Sequence, residues 1–448
     1  MAREKIPGPG MLEGMRRLYP SPFPKLPAFI ADVTRRYGDI VAFTLPGRRF
    51  VLLNHPDQIK DLLVTQQQAF VKSEGARALR LLLGDGLLTS EEPHHRQMRR
   101  IVQPAFHHER IARYARTMVE SACEWTDQRA GGDRFDLHAA MSALTLRIAS
   151  LTLFGVDASE DASDVRSALH TVLEAYPSTV TPLALLKQSL GLSRVTRAFN
   201  DARARLDRVI YALIARRRAQ PGDRNDALSM LLEASDPETG YRLSDEQVRD
   251  EAMTLFLAGH ETTANALTWT WYLLARHPEI EARVHAEVDA LASFEDPFSA
   301  LVALPYTRLV LRESMRLYPP AWIIGRESTC PVTLAGGYAL KSGTTVFVCA
   351  LALHRREELY PDPLRFHPDR WIASEVPPFA YLPFGGGARR CIGEEFAWAE
   401  GTLVLAALAK RFRFVLETDR ELELQPLVTL RPKGPVPIRL VERSVQQA

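Results

Sequence analysis

Over most of the chain the apolar positions recur at helical spacing. From about His95 to Ile280 this period predicts helices, with breaks near Gly131–Gly132, Pro177 and Pro221–Gly222. Within that region Asp245–Arg276 reads as one long helix. Ser244 is a good N-cap, and Gln247 three residues later completes a capping box. Its middle, Met253–Ala258, is almost wholly apolar, so the helix should be covered on most sides. A second helix is predicted over Thr307–Leu317, ended by Pro319–Pro320. A last one runs from near Cys391 to near Phe412. Short apolar runs predict strands at Ile40–Phe43 and Phe50–Asn54, around a turn at Pro46–Gly47, and at Val332–Leu334 and Thr345–Val348. The start of the chain, with Pro7, Pro9, Pro20, Pro22, Pro24 and Pro27, reads as an extended lead-in. The stretch from Pro361 to Gly387 reads as irregular. No repeat or sharp change of composition interrupts the chain. The expected fold class is mainly α with small β-sheets, in a single domain over residues 1–448.

Composition narrows the picture. The 448 residues are 46% hydrophobic and 25% charged, which argues against disorder and allows a core large enough to enclose a cavity. A formal net charge of +2 removes the electrostatic case for a nucleic-acid partner. The four cysteines, Cys123, Cys330, Cys349 and Cys391, form no CxxC pair. A zinc ribbon and a dithiol redox motif are therefore not indicated, and a reducing, cytoplasmic location is expected. The N-terminus has no apolar run of signal or anchor length, so no membrane anchor is expected, and the chain is expected to be a monomer.

The candidate chemistry lies in Phe384–Gly393, FGGGARRCIG. Gly385 to Gly387 permit backbone angles and close approaches that a β-carbon blocks. Cys391 follows where helical periodicity resumes. A thiolate at a helix N-terminus gains roughly 0.3–1 kcal/mol from the dipole. Arg389 adds a fixed positive charge two residues away, and Gly393 leaves room for a flat ligand. A shielded, deprotonated sulfur suits an iron ligand. An ordinary buried cysteine is the plain alternative. A cysteine hydrolase would need a His and Asn pair, and none stands out.

This loop resembles the haem-thiolate signature of the cytochrome P450 family. Other segments match that family's marks in order: His95–Arg99, Ala258–Thr263 (AGHETT), Glu313–Arg316 as Glu-x-x-Arg, and Phe366–Arg370 (FHPDR). The resemblance implies a triangular, helix-rich prism holding haem b, with the Cys391 thiolate as axial iron ligand. It places Phe384, Gly393 and Ala258 against the ring. It places His95, Arg99, Arg326 and Arg389 on the propionates, with His94 able to replace His95. It makes Thr262 and Glu261 the groups that manage protons at bound dioxygen, although the family more often has Asp at the Glu261 position. Glu313, Arg316 and Arg370 would form a buried structural cluster.

The implied substrate lining is apolar: Leu82, Leu83 and Leu88 in RALRLLLGDGLLTS, with Leu257, Ala321, Trp322, Ile323 and Val428. The implied activity is a monooxygenase that hydroxylates an apolar small molecule with O2. A fatty acid or other lipid-like compound, a terpenoid or a steroid all fit, and Gln103–His107 points towards branches that hydroxylate fatty acids. No flavin or iron–sulfur domain follows the last motif, so a separate ferredoxin or flavodoxin-type donor is expected. Arg96, Arg100, Arg110, Arg113, Arg116 and Arg390 could offer it a basic face. A peroxide-driven peroxygenase and a non-catalytic haem-binding sensor are the alternatives, and the Glu261–Thr262 pair argues against both.

Overall fold

The structure is a computed structural model. It describes residues 5–18, 23–45, 48–157, 162–179, 194–220, 222, 226–236, 238–373 and 375–443. The expected turn at Pro46–Gly47 and the break at Pro221 lie outside the described residues. The chain divides into two compact units. The first is Met1–Leu79, Met315–Cys391 and Leu424–Arg431; the second is Arg80–Ser314, Ile392–Glu423 and Pro432–Ala448.

The first unit is built on a five-stranded sheet. Its order is Ile40–Leu45, Arg48–Leu53, Thr345–Cys349, Ile323–Ser328, Phe70–Lys72. The second and third strands pair in parallel, with Val51 opposite Val346; the other pairs are antiparallel. Val51 and Leu53 point into one cluster with Ile40, Val346 and Val348. Leu52 points into another with Val41, Phe43, Phe29, Ile30 and Trp322. Both faces are buried, which is why these strands read as unbroken apolar runs instead of alternating.

The second unit is helical. Its centre is Asp245–Arg276, with the Ser244–Gln247 capping box in place. It lies along Leu137–Phe154, and Gly259 makes the approach close: a β-carbon there would sit 3.4 Å from Leu153. Helices His108–Asp127, Pro278–Asp289 and Glu394–Arg411 complete the surroundings. Trp271 of the central helix stacks on Phe414, with centroids 4.0 Å apart, anchoring it to the strand Phe412–Leu416. The helix Ala162–Thr179 continues two residues beyond the break expected at Pro177. Among the described residues, Leu137–Phe154 is long and apolar enough to cross a membrane, but 72% of it is buried.

Candidate active site

In the first unit, the loop around Cys391 is set by its backbone. Gly385 and Gly387 have φ of +70° and +69°, and a β-carbon on Gly387 would lie 1.8 Å from the Leu63 carbonyl oxygen. Only glycine fits there. The Cys391 N–H donates to the Phe384 carbonyl at 2.9 Å, closing the loop on itself. The result is an exposed thiol outside any disulfide. Cys349, on the sheet, is the opposite case: burial pushes its thiol up to about 12. The last helix begins at Glu394 with Gly393 as N-cap, so Cys391 stands two residues ahead of the cap and does not open the helix as expected. A β-carbon on Gly393 would make only ordinary contact with the Phe106 ring, at 3.5 Å. Phe384 and Arg389 are half-buried.

The stretch leading to the loop is tied by buried guanidinium groups. Arg316 is fully buried and donates to the carbonyls of His354 at 2.8 Å, Pro363 at 2.6 Å and Arg365 at 3.1 Å. Arg370 donates to Pro361 at 2.9 Å and, more weakly, to Asp362 and Arg365. An irregular segment has no ladder for its carbonyls, and these two side chains supply the donors. Glu313, three positions before Arg316 on the helix Pro305–Leu317, is also fully buried. His354, which the sequence did not single out, accepts the Leu382 N–H at 2.8 Å. Burial, and then the nearby Arg316 charge, push its imidazole down to about 3.

Arg326 is half-buried and turns one nitrogen to the Gly325 carbonyl at 3.0 Å. Among the expected lining residues, Ala321 is exposed, and Ile323 and Val428 are half-buried. Trp322 is a core residue, with its indole N–H donating to Leu427 at 3.1 Å.

In the second unit, the central helix is buried from Val248 to Leu274 except at Ala258, Gly259 and Thr262. These three positions share one face. The Thr262 hydroxyl donates to the Ala258 carbonyl at 2.7 Å, Thr263 to Gly259 at 3.2 Å, and Thr145 of the neighbouring helix to His260 at 3.1 Å. Three successive carbonyls thus receive hydroxyl groups, which loosens and bends a helix.

Glu261 does not lie beside Thr262. Its side chain is buried and receives the Asn265 amide at 3.4 Å, and His260 Nε2 stands 3.9 Å from its second oxygen. Asn265 in turn meets His138 Nε2 at 3.0 Å. Burial pushes His260 below the usual histidine range, against the pull of Glu261. Glu400, on the last helix, is fully buried. Burial raises its carboxyl to about 8, only partly offset by the Thr263 hydroxyl, so it stays protonated at neutral pH. Sequence reasoning missed Asn265, His138 and Glu400. The i, i+4 spacing of Glu261 and Asn265 was readable; the arrival of His138 from another helix was not.

His95 is buried, with Nδ1 3.0 Å from the Glu92 carboxylate, and Arg99 is half-buried one turn further on. Of the expected basic face, Arg96 leans on Glu92 at 3.6 Å and Arg100 pairs with Asp236 at 2.8 Å and Glu238 at 2.9 Å. Those two charges are matched within the unit, whereas Arg113 and Arg116 are exposed. Leu82 and Leu83 are core residues, Leu257 is buried, and Leu88 is exposed. Their loop is pinned to the central helix: the Asp85 N–H donates to Asp250 at 2.8 Å, and Arg249 donates to the Leu82 carbonyl at 2.9 Å.

A family model described as cytochrome P450 matches residues 20–438. The chain is 42% identical to cyclooctatin synthase of Streptomyces melanosporofaciens, over 84% of this chain and 83% of that one. It is 38% identical to cyclooctat-9-en-7-ol 5-monooxygenase of the same organism, at the same coverage. It is 34% identical to pentalenene oxygenase of Streptomyces avermitilis, over 92% of each chain. Among solved structures it resembles the cytochrome P450DA heme domain, with a TM-score of 0.87 and 28% identity over 99% of this chain and 98% of that one.

Proposed function

The chain belongs to the cytochrome P450 family of haem-thiolate monooxygenases, and from that premise we propose that it hydroxylates a terpenoid-like substrate with electrons from a separate ferredoxin or flavodoxin-type donor. The observation that carries the catalytic reading is the accessible face at Ala258, Gly259 and Thr262 on a helix buried everywhere else between Val248 and Leu274. The donor set fits the cofactor. Cys391 is an exposed thiol, outside any disulfide, on a loop whose glycines set its backbone. A thiolate there suits iron, and none of the other cysteines has this setting.

Bound haem supplies dioxygen activation; the rest is done by side chains of this chain. Cys391 would hold the haem iron through its thiolate. Phe384, Gly393 and Ala258 would contact the ring, and His95, Arg99, Arg326 and Arg389 would pair with the propionates. Thr262 holds and hands on a proton through its hydroxyl, and Glu261 replenishes it. Leu82, Leu83, Leu88, Leu257, Ala321, Trp322, Ile323 and Val428 would line the substrate site. The relatives named for cyclooctat-9-en-7-ol and pentalenene act on an unsaturated alcohol and an unsaturated hydrocarbon, which favours terpenoids over fatty acids and steroids. The family match from residue 20 to residue 438 supports reading 1–448 as one haem domain, which we place in the cytoplasm as a monomer.

The test is spectral. Ferric holoprotein is titrated with terpene hydrocarbons and alcohols, fatty acids and steroids, and the Soret shift is recorded. Binders are then turned over under labelled dioxygen with a ferredoxin system. Terpenoids should give the shift, and the product should carry one labelled oxygen. Tight binding confined to fatty acids, or label absent from the product, would overturn the reading.

A further inference from the structure

We propose that Asn265 and His138 are positioning residues that hold the Glu261 carboxylate turned away from Thr262, so that Glu261 must leave this buried setting to deliver its proton. The inference rests on the reading of Glu261 and Thr262 given above. Consecutive helical residues stand about 100° apart, so an acid next to Thr262 in sequence need not share its face. Thr262 is on the accessible face, whereas Glu261 is only 4% exposed. Burying a carboxylate is costly without a donor. One turn on, the Asn265 amide provides it at 3.4 Å.

Asn265 is itself fully buried, and its two amide ends have almost the same shape. What sets their direction is His138, half-exposed at the start of Leu137–Phe154, whose Nε2 lies 3.0 Å from the Asn265 oxygen. With its proton on Nε2, His138 bonds the carbonyl end and leaves the NH2 end facing Glu261. The other tautomer would favour a flipped amide, with oxygen facing carboxylate. His138 is fixed in turn: its backbone N–H donates to Asp136 Oδ1 at 3.1 Å. Titratable groups near Glu261 include His260 on its own helix and, through Asn265, His138 on the neighbouring one; Glu400 interacts with the Thr263 hydroxyl. His260 Nδ1 is 3.2 Å from the Phe256 carbonyl, so its Nε2 faces Glu261 as an acceptor when the ring is neutral. An amide cannot pass a proton on without tautomerising. Asn265 therefore directs the carboxylate and does not conduct.

Two measurements on the holoenzyme test this. Ring-nitrogen NMR of the ferrous carbon monoxide form, which is diamagnetic, should show His138 protonated at Nε2; a proton on Nδ1 would overturn the proposal. Product formed per electron pair should fall about tenfold in Asn265→Leu and His138→Leu, the size of one lost hydrogen bond to a charged group. His138→Gln, which restores an N–H at that position, should recover most of it. In a Glu261→Gln background, Asn265→Leu should add nothing. Additive losses, or unchanged coupling in both Asn265→Leu and Asn265→Ser, would overturn the proposal; the second variant covers a failure of the first to fold. If Glu261→Gln alone leaves coupling and the solvent isotope effect unchanged, it is the underlying role of Glu261 that fails.

Discussion

The loop before Cys391 and the central helix from Ala258 to Asn265 reach chemistry by different routes. In the loop, direction comes from the backbone: positive φ at Gly385 and Gly387, and the Cys391 N–H on the Phe384 carbonyl. Each of those needs is met by a residue type at a fixed offset, so the pattern is visible locally. On the helix, direction comes from neighbours. Ala258 is accessible and Glu261 buried because other helices cover one side, and Asn265 is oriented by a histidine 127 positions away. The cysteine is thus fixed by local geometry and the acid by tertiary contacts.

The sharpest way to break this comparison is Cys391→His. The reduced, carbon monoxide-bound protein should lose the red-shifted Soret band of thiolate-bound haem entirely. Survival of the band would mean that another residue binds the iron and that the loop geometry serves something else.

Arg316→Ala attacks the support of the loop. It strips donors from the carbonyls of His354, Pro363 and Arg365. Disrupting such a buried charge cluster costs about 3–5 kcal/mol, so little folded, haem-loaded protein should be recovered. A denaturation midpoint equal to that of the wild type would show the cluster to be dispensable.

Two buried groups, one in each unit, should give stability opposite pH slopes. Glu400 ionises near 8 in the folded chain and at about 4.5 when exposed, so the folded state holds more protons between those values. Its contribution therefore declines by about 1.4 kcal/mol per unit as pH rises through that window. His354 ionises near 3 when folded and 6.5 when exposed, so its contribution declines as pH falls through 6.5 towards 3. Unfolding free energies across pH should lose the first slope in Glu400→Gln and the second in His354→Gln. Persistence of either slope would place its origin elsewhere.

The smallest effect on stability should come from Thr262→Ala. The side chain is partly accessible and its bond to the Ala258 carbonyl is local, so folding should change by less than about 1 kcal/mol and haem content should hold. Product per reduced cofactor should fall and hydrogen peroxide should rise. Unchanged coupling would make Thr262 a helix-bending residue only.

Much of the fold was legible because periodicity and capping are local. The long helix Asp245–Arg276 starts where Ser244 and Gln247 put it, and Val332–Leu334 is a strand as expected. Boundaries set by packing were less so: Thr307–Leu317 extends back to Pro305, and the last helix starts at Glu394, leaving Cys391 on the loop. The leucines before His95 show the limit of composition. Leu82, Leu83 and Leu88 look alike in sequence, yet the first two are core and the third is exposed, because Asp250 and Arg249 pin the loop between them.

By itself the sequence carried the marks of the haem-thiolate family, since FGGGARRCIG and the ordered motifs before it match that family's pattern. The resemblance also implied a buried cluster of Glu313, Arg316 and Arg370; that the two arginines donate to carbonyls of the segment before the loop came from the structure. Only the tertiary structure decided which way Glu261 turns, which leucines are exposed, and which arginines carry ion pairs. Those outcomes depend on burial and on partners brought from distant positions. Burial changes the energy of a charge by more than its identity does, and no local pattern encodes it.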